Sequence, residues 1–282
     1  MKNAGQAAPH RTSANRLRPI AGRHNARLKE LRQAFRRAEL TSGGECAIEG
    51  VKLIEEALRH APQIVTIFFS ESARPLAEKL LPQIGERIET LVLPDALFKS
   101  VVSSETPQGV AALVKLPAFT VQQLLDRVQD GPLVVVSGLQ DPGNLGTIMR
   151  SAEAFDAAGV FLTEGTVSPY NSKVLRGSAG SIFRPPLAKI ASLELISLLR
   201  AKGFRLLATS SHKGTPLSEA NWNPPIAIFI GSEGAGLPRE IMHQMDETLV
   251  IPQAEPVESL NAGVAASIVL YECARNRKRV GN

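Results

Sequence analysis

Leu133-Val134-Val135-Val136-Ser137-Gly138-Leu139-Gln140-Asp141-Pro142-Gly143-Asn144-Leu145-Gly146-Thr147-Ile148-Met149-Arg150 is the stretch that decides the fold. Leu133–Val136 is a continuous, mostly β-branched run, the pattern of a strand buried on both faces. Turn chemistry follows: Pro142 and the glycines make a tight bend and let another backbone or a ligand come close. Leu145, Ile148, Met149, Ala152 and Phe155 then recur at helical spacing as one apolar stripe. Similar strands are predicted at Gly159–Leu162, Phe204–Thr209, Ile226–Ile230 and Thr248–Ile251, with helices between. The result is an α/β fold, a mostly parallel sheet covered on both sides. Ligands of such sheets bind beyond the carboxyl ends of the strands. The loops after Val136, Ile230 and Ile251 are therefore where chemistry is sought.

Upstream the texture differs. Leu28, Leu31, Phe35 and Ala38 predict a helix whose other positions carry Arg27, Lys29, Arg32, Arg36 and Arg37. Those cations are either a solvated face or a phosphate-binding one; the excess of one sign favours the second. Helices at Gly50–His60 and around Pro75–Leu81 alternate with strands at Ile64–Phe69, Thr90–Leu93 and Gly109–Val114, which describes a small α/β domain. The organisation read from this is a basic arm over residues 1–18, a first domain over 19–117, a linker over 118–130 with a short helix at Val121–Val128, and a second domain over 131–282. No internal repeat is visible.

Composition narrows the functions. The chain has 282 residues, of which 44% are hydrophobic, with a formal net charge of +5. That suits an anionic partner such as nucleic acid, though charge alone does not demand one. Cys46 and Cys273 are far apart and form no redox or metal motif, so no disulfide framework and a reducing compartment are expected. The five histidines are scattered, and no metal site is expected. No apolar run reaches the roughly 18 residues of a membrane helix. The start of the chain is arginine-rich and has no acid before Glu30. An organellar transit peptide shares that composition, but a basic arm on a cytoplasmic protein is the reading adopted.

Three loops carry the chemical signal. The first is Asp141-Pro142-Gly143-Asn144-Leu145-Gly146, with Arg150 further along the helix and off its apolar stripe. The second is Gly231-Ser232-Glu233-Gly234-Ala235-Gly236-Leu237-Pro238, three glycines bracketing one carboxylate directly after a buried strand. It is neither a Walker loop nor a dinucleotide fingerprint. The third is Leu249-Val250-Ile251-Pro252, then Ser259-Leu260-Asn261 opening a long helix rich in small residues, with Ser259 the expected N-cap. Read singly, each is an ordinary surface arginine, a plain glycine turn or a capped core helix.

Read in order, Asn-x-Gly-x-x-x-Arg, Gly-x-Glu-x-x-Gly-Leu and Ile-Pro…Ser-Leu-Asn resemble the three signature motifs of the SpoU (TrmH-like) RNA 2′-O-ribose methyltransferases. Asn171-Ser-Lys173-Val-Leu-Arg176-Gly-Ser178-Ala-Gly180-Ser-Ile-Phe-Arg184-Pro-Pro resembles a further stretch of that family. The likeness covers about Gly131 to Arg277. The first hundred residues are similar, more loosely, to the family's ribosomal-protein-like substrate-binding domain. The third loop departs from the usual Ile-Pro-Met-x-Gly: Gln253 and Glu255 stand here, and Glu255 puts the loop's detailed shape in question.

The resemblance implies a trefoil-knotted SPOUT methyltransferase domain, a homodimer, and S-adenosylmethionine as cofactor, held at Thr209, Gly231, Ile251, Leu260 and Asn261. It implies catalytic duty for Arg150, Asn144, Glu233, Ser259 and Asn261. Asn144 and Glu233 would orient Arg150 and the ribose, and Arg150 would meet the developing alkoxide, from one subunit toward the cofactor of the other. The substrate would be structured RNA, ribosomal before transfer RNA. Rival expectations are a catalytically silent RNA binder, a knotted enzyme acting on a base atom, and a generic nucleotide-binding α/β enzyme.

Overall fold

The computed structural model describes residues 16–280 apart from 21, 61–62, 128–130, 224 and 256, with the backbone alone for 278–280. The chain forms two compact units, dividing after Lys115. In the first, β1 (Leu17–Pro19), α1 (Ala26–Arg37), β2 (Cys46–Glu49), α2 (Val51–His60), β3 (Gln63–Ser70), α3 (Arg74–Leu80), β4 (Glu89–Leu93), α4 (Asp95–Lys99) and β5 (Val110–Lys115) follow one another. The sheet order is β1-β4-β3-β5-β2. β1, β4 and β3 run parallel, and β5 is antiparallel to both β3 and β2. Leu28, Leu31 and Ala34 of α1 pack into a core with Phe68, Leu91, Phe98 and Leu113.

The expected arm ends sooner than its boundary at residue 18. Residues 1–15 lie outside the described part, but Leu17 is buried in a strand paired with β4. Arg16 donates hydrogen bonds to the carbonyls of Leu81 (3.2 Å) and Ile84 (2.7 Å). A strand this short has no periodicity for a sequence reading to find.

The second unit contains α5 (Val121–Leu125), β6 (Leu133–Val136), α6 (Pro142–Ala154), β7 (Gly159–Leu162), α7 (Ser172–Gly177), β8 (Leu187–Lys189), α8 (Ser192–Ala201), β9 (Arg205–Ser210), β10 (Thr215–Pro216), β11 (Ile226–Ile230), α9 (Arg239–Met242), β12 (Glu247–Val250) and α10 (Ala262–Val280). Its sheet runs β10-β12-β9-β11-β6-β7-β8, and every pairing is parallel. β6 and β11 are fully buried, as their unbroken apolar runs require. One face of the sheet gathers Leu133, Val135, Phe161, Ala208 and Phe229 against α5, α8 and α9. Alternate residues such as Val134 and Ile228 point to the other face, which α6 covers with α10 packed along it.

The described part of the expected linker, residues 118–127, is not a simple connection, and residues 128–130 lie outside the described part. Thr120 and Gln123 form a capping box on α5, and Leu124 and Leu125 are buried in the second core. Cys46 and Cys273 are buried free thiols, one in each unit. Burial pushes their pKa values up to about 12 and about 11. Among the described residues no helix is long and apolar enough to cross a membrane.

Candidate active site

The parallel sheet brings the three loops to one end, beyond β6, β11 and β12. The amide of Ser137 donates to the Ile230 carbonyl (2.9 Å), so β6 and β11 finish level. The next residue, Gly138, turns the chain at φ +68°. Its N–H meets the Thr166 hydroxyl at 3.1 Å, and that hydroxyl donates to the Val136 carbonyl. The loop after β7 thus braces the loop after β6. Asp141 then caps α6, accepting the Asn144 N–H at 2.8 Å. Pro142 occupies the first turn, where no amide hydrogen is needed.

In the second loop, Ser232 and Gly236 exchange backbone hydrogen bonds of 3.0 and 3.1 Å, which pinches the segment shut with Glu233 on its outside. A Cβ added at Gly231 would lie 2.2 Å from the Gly236 carbonyl carbon, so only glycine fits.

One hydrogen bond joins these loops. Asn144, only 6% exposed, donates from Nδ2 to Glu233 Oε1 at 2.9 Å. The Asp141 N–H reaches the same oxygen at 3.3 Å. Burial pushes the Glu233 carboxyl up, but hydrogen bonds from the Asn144 side chain and from backbone N–H groups of Glu233, Asp141 and Gln140 outweigh it. The net pKa lies below the usual carboxylate value.

The third loop delivers α10 alongside α6. A Cβ on Gly263 would stand 3.0 Å from Thr147 Cβ and 3.3 Å from Asn144 Oδ1, so a glycine there lets the two helix starts meet. The contact continues through a Ser151–Ser267 hydrogen bond of 2.6 Å and an edge-to-face pair of Phe155 and Tyr271 with centroids 5.8 Å apart. At the far end Arg277 donates to the carbonyls of Phe155 (2.7 Å) and Asp156 (3.3 Å). The helices therefore run parallel, and their free N–H groups and positive dipole ends emerge side by side. On another flank, a Cβ at Gly146 would be 2.8 Å from the Gly177 backbone, so α6 and α7 touch main chain to main chain. Asn171 caps α7, and Arg184 forks onto Glu153 of α6. These contacts give the stretch from Asn171 to Arg184 a structural purpose.

Asn144 and Glu233 are brought together; the other predicted residues are placed separately. Arg150 is exposed, about 9 Å along the helix axis from Asn144. Among the described residues its side chain makes no hydrogen bond or ion pair, with Asn144 and Glu233 or with any other group. Thr209 is the penultimate residue of β9, its hydroxyl 3.3 Å from the Phe229 carbonyl. Ile251 and Leu260 are half-buried, while Glu255, Ser259 and Asn261 are exposed.

Ser259 is not the cap of α10. The cap is Asn261, whose Oδ1 accepts the Val264 N–H at 3.2 Å. Asparagine caps as well as serine does, and the register that turns Gly263 and Ser267 toward α6 decides between them. Sequence reasoning also missed the oxygen Oε1 of Gln253, buried without a hydrogen-bond partner among the described residues. Its only sequence signal was the departure from methionine at that place.

The comparisons with known proteins fall on the same segments. The SpoU rRNA Methylase family model matches residues 131–271, and the RNA 2′-O ribose methyltransferase substrate-binding model matches residues 47–120. The chain is 29% identical to the 23S rRNA (guanosine(2553)-2′-O)-methyltransferase RlmP of Bacillus subtilis, over 90% of this chain and 98% of that one. It is 31% identical to the 23S rRNA (uridine(2479)-2′-O)-methyltransferase of Streptomyces viridochromogenes, over 90% and 91%. Among solved structures, the AdoMet-bound rRNA methyltransferase from Sinorhizobium meliloti superposes with a TM-score of 0.77 at 27% identity, covering 93% of this chain and 98% of that one. With both halves matched and the motif loops converging at one end of the parallel sheet, this chain belongs to the SpoU rRNA methylase family.

Proposed function

We propose that the chain transfers the methyl group of S-adenosylmethionine to a ribose 2′-hydroxyl of large-subunit ribosomal RNA. The observation that carries this reading is the Asn144–Glu233 hydrogen bond, which locks the first two motif loops together beside the start of α10. The two 23S rRNA methyltransferases to which the chain is similar over nine-tenths of its length favour ribosomal over transfer RNA. Gln253 Oε1, buried and without a partner among the described residues, fits a cofactor that brings a hydrogen-bond donor to the third loop. Thr209, Gly231, Ile251, Leu260 and Asn261 would hold it. When bound, S-adenosylmethionine supplies an electrophilic methyl on a sulfonium.

The chain's own residues must position the hydroxyl and stabilise its developing negative charge. Arg150 takes that second task. As a guanidinium it acts by charge and hydrogen bonding, not as a base. Asn144 and the ionised Glu233 hold the loop that presents the ribose, while Ser259 and Asn261 line the mouth. Because the Arg150 side chain has no partner among the described residues, a homodimer in which it serves the neighbouring cofactor suits it. The exposed apolar stripe of Val264 and Tyr271 on α10 supports that assembly. A knotted C-terminal segment fits the sheet order, in which β12 lies beyond β9 while α10 returns to α6. The compartment that fits a ribosomal substrate is the cytoplasm.

The test is methyl transfer from labelled S-adenosylmethionine to ribosomal and transfer RNA fractions, followed by digestion to nucleosides. The expected product is a 2′-O-methylated nucleoside from large-subunit RNA, and Arg150→Ala should slow its formation about 10²–10³-fold. A methylated base would overturn the reaction, label in transfer RNA the substrate, and cofactor binding with no transfer to any RNA would favour a silent homologue.

A further inference from the structure

Helix α1 precedes the matched substrate-binding segment, and its outer face is built unlike an ordinary solvated helix. Lys29, Gln33, Arg36 and Arg37 are exposed and Arg32 half-buried, opposite the buried Leu28, Leu31 and Ala34. These five alone line a shallow concavity of about 420 Å³. Lys29, Arg32 and Arg36 follow one another at intervals of three and four residues, a stripe about 10 Å long. Among the described residues none of Lys29, Arg32, Arg36 and Arg37 makes an ion pair. Of the nearby acids, Glu30 pairs with Arg27, and Glu45 with Arg27 and Thr41; Glu39, just past the helix, lies beside Arg37 in a neighbouring concavity and forms no ion pair among the described residues.

Local stability does not explain the arrangement. Arg36 and Arg37 lie in the last turn, where the helix dipole favours cations. Lys29 and Arg32 gain nothing from it, and the first turn carries no acid. Like charges one turn apart, Lys29 with Arg32 and Arg32 with Arg36, weaken a helix. The cations cost the fold something and are left open to solvent together, with one uncharged donor, Gln33, between them. That suits a repeating anion whose charges lie along a line. A-form RNA offers its backbone phosphates, since its deep major groove closes the base edges to side chains.

We propose that this face of α1 docks the phosphate backbone of structured RNA and adds a sequence-independent hold on the substrate, away from the methyl-transfer loops. The proposal rests on the RNA-modifying reading above, but its test needs no turnover. Binding of a fluorescein-labelled RNA hairpin of about 20 base pairs is followed by anisotropy across a salt series. The full chain is compared with a variant carrying Lys29→Gln, Arg32→Gln, Arg36→Gln and Arg37→Gln. A control carries Lys52→Gln, Lys79→Gln, Arg87→Gln and Lys99→Gln, which removes the same charge from exposed sites elsewhere in the first unit.

The α1 variant should lose about 3 from the slope of log affinity against log salt, from four contacts at roughly 0.7–0.9 each. The control should change the slope by less than one contact's worth. Arg32→Lys, Arg36→Lys and Arg37→Lys together should keep the slope, because charge and not fork geometry is the claim. S-adenosylmethionine affinity should stay unchanged in all of them. Equal losses from the α1 and control sets would reduce the effect to net charge and overturn the proposal, as would an unchanged slope in the α1 set. A normal loss of slope in a protein that methylates no RNA would leave the docking face standing and sink the proposed reaction instead.

Discussion

The first two motif loops and the third are held in opposite ways. Asp141, Asn144, Glu233, Ser232 and Gly236 form a closed set in which caps, backbone pairs and a carboxylate satisfy one another. From Ile251 to Asn261 the chain is largely exposed, and its internal backbone bonding in the described residues is the Val257 N–H to Ala254 carbonyl contact. It even retains a buried acceptor, Gln253 Oε1, that no donor meets among the described residues. One part of the site is finished by folding, and the other is left for a ligand to finish. The finished part fixes where Asn144 and Glu233 stand; the unfinished part can admit a cofactor without first breaking internal bonds.

The contrast can be broken most forcefully at Gly231. Gly231→Ala should cost about 3 kcal/mol or more, because the methyl meets backbone with no room to relax. Urea unfolding would show this as a lower midpoint, and an unchanged midpoint would mean the pinched loop is not rigid. Asn144→Ala comes next, at about 1.5–3 kcal/mol, since it removes a donor from an ionised carboxylate. The same bond has a pH signature. A carboxyl whose folded pKa is depressed contributes stability that is present above its unfolded value and lost as pH falls through the folded one. Stability measured downward from about pH 5 should therefore fall less steeply in Asn144→Ala than in the parent chain. In the third segment, Asn261→Ala should cost about 1 kcal/mol as a lost cap. Ser259→Ala should stay under about 0.5 kcal/mol in thermal unfolding, despite being the stronger-looking cap in the sequence. If the last two were reversed, the start of α10 would be misplaced.

Much of the second unit was legible because doubly buried strands advertise themselves. Leu133–Val136 and Ile226–Ile230 lie where their apolar runs put them. β1, β8 and β10 span two or three residues each and went unseen, since no period can be read over so few positions. The motif residues were legible through their resemblance to a family. Their meeting was not: Asn144 and Glu233 are 89 positions apart, and only the adjacency of β6 and β11 makes them neighbours. The backbone contact of Gly146 with Gly177 and the hydroxyl pair of Ser151 and Ser267 were hidden in the same way. Small residues announce that something comes close without saying what.

The hold of Arg277 on the end of α6 also sets an order of events. The carbonyl of Phe155 waits for a guanidinium 122 residues further along the chain. During synthesis α6 therefore emerges long before the helix that covers it, and closing so long a loop carries an entropic cost before any contact rewards it. The first unit, complete by Lys115, can settle while the second is still being made. The helix that carries Asn144 and Arg150 gains its last covering element only once α10 arrives, so a nascent chain would hold the proposed RNA-docking face before it held the assembled loops of the candidate site.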